Sequence, residues 1–278
     1  MTFQNSRSYQ MNAGMQLIKY ITAFSIMIPM LIVGLVVGIF SRQLAWIVFR
    51  KANYIFLRIF GVTVKFEYDA DPKALSKGGI IVGLNQESLL EPTLGFAALN
   101  RKWTSIFNIE YALLPVLGWV AWVLGWIIVR QWPKQSQAQL KRAARYAQNG
   151  GLVYLSAEGK RSKDGRLNPY KKGPAVLAIQ SQSQVHPIYV HGSAACMPYG
   201  DWKIRPGTVL IRFLQPISVK GLTYDDRDQL MSVLRELGEA EHRKSPVIVA
   251  NLKGIKTLHT GNTEKACQTS PAGEQKAA

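Results

Sequence analysis

The chain is poor in acid and almost free of cysteine. Seventeen Asp and Glu stand against 34 Lys and Arg in 278 residues, a formal charge of +17. Such an excess favours anionic partners: a phosphate-bearing substrate, an acidic membrane surface or nucleic acid. The two cysteines, Cys196 and Cys267, lie far apart and fit no metal or redox spacing. Cys267 sits in a polar tail, which argues against a structural disulfide and for a reducing compartment. Only four histidines are present, His186, His191, His242 and His259, and none is spaced with a carboxylate or thiol as a metal site requires. No metal is therefore expected. A Walker loop and a dinucleotide fingerprint are both missing, so no cofactor is expected either. Zinc-finger spacing and an RNP1 aromatic motif are missing too, which leaves nucleic acid without a reader.

What the chain has instead is hydrophobic mass, 47% of its residues, enough for one sizeable core and too much for a disordered protein. Between Tyr20 and Ser41 there is no charged side chain, and Ile21 to Phe40 forms a run of 20 predominantly apolar residues. That length meets the requirement for crossing a hydrocarbon core of roughly 30 Å. A buried core helix and a signal peptide are the competing readings; against the second, the run is longer than an h-region and no small-residue cleavage site closes it. Pro29, Gly34 and Gly38 are positioned to kink such a helix. The following stretch, Leu44 to Phe60, mixes aromatics with Arg50, Lys51 and Arg58 and has no acid, a composition suited to the headgroup layer. Arg42, Arg50, Lys51 and Arg58 outnumber Arg7 and Lys19 near the apolar run, so the positive-inside bias places the main domain on the cytoplasmic side of a membrane.

From Val62 the pattern changes to alternation through Tyr68, and a globular domain begins. The expected organisation is a membrane-embedded and interfacial helical anchor over 1–60, the domain over 61–245, and a polar, disordered tail over 246–278. The uncharged segment Tyr111 to Val129 is broken by Pro115, Gly118 and Gly125 and is assigned to the domain core, with Trp119, Trp122 and Trp126 on one helical face, a stripe suited first to the core and otherwise to an acyl tunnel or to lipid. Gln135 to Gln148 reads as a basic helix stopped by Asn149-Gly150-Gly151. Strands are expected at Leu152 to Leu155, Gln184 to Val190 and Thr208 to Leu214. Thr223 opens a capped helix with Leu230, Val233, Leu234 and Leu237 on its inner face.

The organising stretch is Asn85-Gln86-Glu87-Ser88-Leu89-Leu90-Glu91-Pro92, where the apolar strand Ile80 to Leu84 gives way to a helix. Ser88 and Glu91 have capping-box spacing, so a structural role explains them as readily as chemistry does. The octapeptide nonetheless resembles the first signature block of the glycerolipid acyltransferase family, usually Asn-His-x-x-x-x-Asp. Three further blocks follow in the family's order. Ile109-Glu110-Tyr111 through Pro115, Gly118, Gly125 and Val129-Arg130 is similar to the second. Ser156 to Ser162 with Lys171-Lys172-Gly173 resembles the third, and Val185 to Val190 the fourth. The likeness runs from about Gly78 to Ile217.

The resemblance implies an α/β fold, a mixed β-sheet flanked by helices, joined here to an N-terminal membrane helical segment. It implies transfer of a fatty acyl group from acyl-CoA or acyl-carrier protein to the sn-2 hydroxyl of lysophosphatidate, giving phosphatidate. Membrane lipids are then partners, and the acyl donor is a co-substrate rather than a cofactor. In the family the histidine is the base and the aspartate orients it. Gln86 stands at the histidine position and Glu91 at the aspartate position. Substrate binding would fall to Glu158, Gly159, Lys160, Arg161, Ser162, Lys171, Lys172 and Arg130, with the planar fork of Arg161 on the phosphate.

Gln86 departs from this scheme, because a neutral carboxamide has no basic lone pair to offer. Losing the base lowers the rate by about 10²–10⁴. Three accounts are open: an engineered replacement of histidine, a natural member with another base among Glu87, Glu91, His186 and His191, or a catalytically silent lipid-binding relative. A different lysophospholipid or glycerol-3-phosphate is the rival acceptor.

Overall fold

The computed structural model describes residues 13–99, 101–108, 117–125, 127–129 and 133–261. Side chains at 107–108, 117, 127–129, 133–136 and 251–261 are left aside. Two helices lead, α1 at Ala13–Phe40 and α2 at Arg42–Ile59, followed by β1 at Val62–Tyr68, β2 at Gly79–Gly83, α3 at Glu91–Ala98 and β3 at Trp103–Asn108. Then come α4 at Leu117–Leu124, β4 at Ile127–Val129, α5 at Pro133–Gln148, β5 at Leu152–Ser156 and α6 at Gly173–Ser181. The chain continues through β6 at Val185–His191, a short α7 at Ser193–Cys196, β7 at Gly207–Phe213 and a long α8 at Arg227–Gly261.

The described strands form one mixed sheet in the order β1-β7-β6-β2-β5-β3-β4. Every pairing is parallel except β6 with β7. β2 is buried along its whole length, as the run Ile80, Ile81, Val82 demands of a strand covered on both faces. It lies between β5 and β6, where the connections diverge: the chain leaves β2 towards β3 and later crosses from β5 over to β6. Open α/β sheets bind ligands at the carboxyl ends of strands beside such a divergence.

Helices cover both faces. On one, Trp46 and Phe49 of α2 join Ile81, Leu94, Phe96, Trp103, Leu124 and Leu152 in a single buried cluster. Trp46 stacks on Phe96 with ring centroids 4.9 Å apart and meets the edge of Trp103 at 5.7 Å. Across the sheet, Ala143, Ala144 and Ala147 of α5, Leu177 of α6, and Leu230 and Leu234 of α8 pack on Ile80, Val82, Val153 and Tyr189.

These contacts revise the expected boundaries. α2 is an integral layer of the core rather than a separate interfacial anchor, because its aromatic stripe faces the sheet and leaves Leu44, Ile47 and Tyr54 outside. Pro246 lies inside α8, which continues to Gly261, so the boundary expected at 246 falls within a helix. Residues 262–278 and Cys267 with them lie outside the described residues. Trp119 and Trp122, expected in the core, are 56% and 73% exposed. Trp126 lies outside the described residues.

α1 is long and apolar enough to cross a membrane. It runs without interruption past Pro29 and lies alongside α2. Its glycines serve close packing rather than a kink. A Cβ on Gly34 would fall 2.3 Å from the Phe49 ring, and one on Gly38 would fall 2.1 Å from Val123. The opposite side of α1 carries Ile18, Ile21, Phe24, Ile28, Ile32, Val36 and Ile39, all exposed. A continuous apolar strip of that length marks contact with something other than water.

Candidate active site

The site begins where β2 ends. Asn85 is fully buried and clamps the loop to β6: its Oδ1 accepts the Val190 N–H at 2.9 Å, and its Nδ2 donates to the Val190 carbonyl at 2.8 Å. Ser88 is pinned through its hydroxyl to the Met197 carbonyl at 2.8 Å. Glu91 folds back over the start of α3, its Oε1 accepting the N–H groups of Glu87 and Ser88 at 2.5 and 3.0 Å. The capping box read from the sequence is not formed, because the helix is capped at Leu90 without a side-chain bond and Glu91 is its first residue; Glu91 instead ties down the turn that precedes it.

The other carboxylate oxygen of Glu91, Oε2, is buried with no hydrogen-bond partner. Burial outweighs the two backbone N–H bonds and pushes the carboxyl up to about 8, so Glu91 is mostly protonated at neutral pH. Tyr154 stands close by, and burial drives its phenol upward as well. Glu87 is half-buried; burial raises its carboxyl, opposed by a bond from Asn85 Nδ2 at 3.2 Å.

The loop after β5 closes on this one. The Ser162 N–H donates to the Gln86 carbonyl at 2.7 Å. Ser156 donates its hydroxyl to Gln86 Oε1 at 3.1 Å. Glu158 bridges the two loops from inside, its Oε1 accepting the Gln86 N–H at 3.1 Å and its Oε2 the Asn168 N–H at 3.0 Å. Burial raises its carboxyl against those bonds. Gln86 is therefore held at backbone and side chain, with its carboxamide oxygen occupied. Ser162 is buried, and its hydroxyl turns to Asp164 at 3.2 Å.

The cations lie outside this buried layer. The Arg161 guanidinium rests 4.8 Å above the Tyr199 ring, and the Lys163 ammonium 5.8 Å from the same ring. The end of the Lys171 side chain lies over Gly159, whose φ of +67° favours glycine. Lys160 is exposed on the same turn. Lys172 points elsewhere and pairs with Asp228 of α8 at 2.8 Å. Of the residues expected to bind substrate, the structure brings Arg161, Lys171, Gly159 and Lys160 onto one rim. It buries Glu158 and Ser162 beneath them and ties Lys172 to α8. Arg130 lies outside the described residues.

The alternative bases separate just as sharply. His186 sits at the start of β6, its Nε2 3.2 Å from the Gly78 carbonyl, at the opposite end of the sheet from Gln86. His191 ends β6 but faces α8, with Nε2 3.3 Å from Glu241 Oε2. Burial holds its imidazole down to about 4, so it is neutral and enclosed. Glu87 is the one candidate both at the site and reachable from solvent.

Sequence reasoning missed three contributors. Ser156 was in view within the third block, but only the fold aims its hydroxyl at Gln86. Asn168 and Tyr199 had no signal, since each works through a neighbour distant in sequence. Among the described residues no three His, Cys, Asp or Glu side chains gather closely enough to hold a metal ion.

An acyltransferase family model matches residues 65–191. A chloroplastic 1-acyl-sn-glycerol-3-phosphate acyltransferase of Brassica napus is 32% identical over 135 residues, 48% of this chain and 39% of that protein. The matched stretch thus spans about two fifths of the plant relative. A 1-acyl-sn-glycerol-3-phosphate acyltransferase of Saccharomyces cerevisiae is 24% identical over 69% of this chain and 67% of its own length. In fold, the chain resembles the crystal structure of the 1-acyl-sn-glycerophosphate acyltransferase PlsC of Thermotoga maritima, with TM-score 0.64, 20% identity, and coverage of 82% of this chain and 95% of that one. The first and third signature blocks meet at one end of the sheet, an acyltransferase model covers residues 65–191, and over that stretch the chain is similar to 1-acyl-sn-glycerol-3-phosphate acyltransferases.

Proposed function

We propose that the protein acylates lysophosphatidate at its sn-2 hydroxyl to give phosphatidate, drawing the acyl group from acyl-CoA or acyl-carrier protein. The observation that carries this reading is the 2.7 Å bond from the Ser162 N–H to the Gln86 carbonyl. It locks the loop that bears Arg161 against the loop that bears the acid–base positions. A phosphate on Arg161 and Lys171 therefore leaves a glycerol hydroxyl beside residues 86 and 87.

Here Glu87 takes the proton from that hydroxyl as the oxygen attacks the thioester carbonyl. The thiolate then leaves and is protonated as free thiol. A carboxyl raised towards neutrality by burial is a better base than an exposed one. Arg161, steadied by Tyr199, and Lys171 hold the phosphate as paired cations. Glu91 and Glu158 keep the two loops in register.

The apolar strip of α1 sets the protein at a membrane, where its substrate resides. The cations Arg42, Arg50, Lys51 and Arg58 put the domain on the cytoplasmic side. A second reading is favoured by one contact, the Ser156 hydroxyl on Gln86 Oε1. A residue engaged in that way suits a silent lipid binder that holds lysophosphatidate without consuming acyl-CoA.

Thiol release from a long-chain acyl-CoA with lysophosphatidate, in detergent, separates the two. Activity abolished by Glu87→Gln supports the first. Lysophosphatidate binding with no thiol release by the parent chain supports the second.

A further inference from the structure

At the opposite end of the sheet from residues 86 and 161, a second group of cations surrounds a cavity of about 80 Å³. It is lined by Arg42 at the start of α2, Lys102 and Thr104 at the start of β3, Gly125 after α4, and Arg142 and Tyr146 of α5. The Arg42 guanidinium lies flat against Gly125, where a Cβ would come within 2.9 Å of its Nη1 and 3.4 Å of its Cζ. Thr104 spends its hydroxyl proton on the Gly125 carbonyl at 3.3 Å, which fixes the floor. Among the described residues, no ion pair involves Arg42, Lys102 or Arg142. Elsewhere Arg205, Arg212, Arg227 and Arg235 each meet a carboxylate.

Three like charges gathered around one hollow repel one another unless an anion lies between them. The ammonium of Lys102 already feels this: partial burial, and then the nearby Arg42, hold it below the usual lysine range. A hollow needs about 10–15 Å³ for one water, so this one takes several waters or a single tetrahedral oxyanion. Its neighbours point to the source. Arg42 follows directly on Ser41, at the turn out of α1, and Phe40 at that turn is 85% exposed. Trp119 and Trp122 protrude from α4 just before Gly125.

We propose that this cavity binds a phosphate group, with Arg42, Lys102 and Arg142 as its donors, separately from the site at residues 86 and 161. A phospholipid headgroup and free phosphate share that chemistry. Occupied by a headgroup, the site fixes how α1 and α2 seat at the bilayer.

The test uses the full chain carrying Arg161→Ala, so that the cations beside Gln86 do not report. Its thermal midpoint is followed in neutral detergent against inorganic phosphate, at ionic strength held constant with chloride. Its affinity is then compared for phosphatidylcholine vesicles with and without phosphatidic acid. A saturable rise in midpoint with phosphate, lost in Arg42→Gln and Arg142→Gln and kept in the exposed control Lys51→Gln, assigns the site to free phosphate. No response to phosphate, with the preference for phosphatidic acid falling about fivefold or more in each site variant and less in Lys51→Gln, assigns it to a headgroup. Lys102→Met guards against misfolding: relieved of repulsion, it should unfold at a higher temperature without phosphate or phosphatidic acid and lose the response to both. Equal falls in Lys51→Gln and Arg42→Gln mean diffuse surface attraction and overturn the proposal, as does a preference untouched by all three substitutions.

Discussion

Two glutamates are almost equally hidden, yet one is neutral and the other ionised. Glu91 is 9% exposed and Glu241 3%. Burial pushes both carboxyls upward. At Glu91 only two backbone N–H groups oppose it, Oε2 is left unpaired, and the group titrates at about 8. At Glu241 the ammonium of Lys244 at 2.7 Å and the guanidinium of Arg212 at 3.3 Å outweigh burial, and the carboxyl lies below its usual range. Depth does not decide whether a buried acid is ionised; a cation partner does. Glu91 stands where the resemblance to glycerolipid acyltransferases implies a carboxylate beside a histidine, and Gln86 offers it no charge.

Restoring that partner gives the largest expected effect. Gln86→His should raise the rate of thiol release by about 10²–10⁴, if the histidine regains the base role. It should also move the titration of Glu91 downward. A pH–rate profile unchanged in both height and midpoint would separate Gln86 from Glu91 altogether.

Next is the ionised glutamate. Glu241→Gln leaves Arg212 and Lys244 facing a neutral group and should destabilise by about 3 kcal/mol in denaturant unfolding in detergent. Because the folded carboxyl lies below its usual value, this contribution is present above the ordinary carboxylate range and is lost as pH falls through it.

Glu91 runs the other way. Its carboxyl is raised from 4.5 to about 8, so its contribution is full below pH 4.5 and declines as pH rises to 8. Glu91→Gln keeps an acceptor for the Glu87 and Ser88 amides and has no charge to bury. It should match the parent near pH 4 and exceed it by a few kcal/mol above pH 8. Parallel stability curves for parent and variant would show that Glu91 is already ionised. The smallest effect is expected from Lys244→Gln, under about 1 kcal/mol, because half of that side chain is in water and Arg212 remains.

The same contrast marks what could be read from the chain. The site loops were legible because each combines local signals: an apolar strand, a turn, then polar residues at fixed spacing, as at Asn85 to Glu91 and Ser156 to Ser162. Strands at Val62, Leu152, Val185 and Gly207 followed from alternation or apolar runs. The ionisation of Glu91 was not legible, since it depends on which charges lie nearby in space. Nor was the parting of His186 from His191, five residues apart on one strand yet at opposite ends of it. Lys171 and Lys172 are adjacent, but only one stays with the site because Asp228, on a distant helix, claims the other.

The sequence by itself determined the positive charge, the apolar first helix, five of the seven described strands, and the four blocks that resemble those of the glycerolipid acyltransferases. These depend on side-chain type and spacing, which folding does not alter. Only the tertiary structure decided that α2 belongs to the core, that Trp119 and Trp122 face outward, that Ser156 holds Gln86, and that Arg42, Lys102 and Arg142 gather around one cavity. Each of these sets a burial or a distance between residues far apart in sequence, and the packing of the sheet fixes such quantities as no local pattern can.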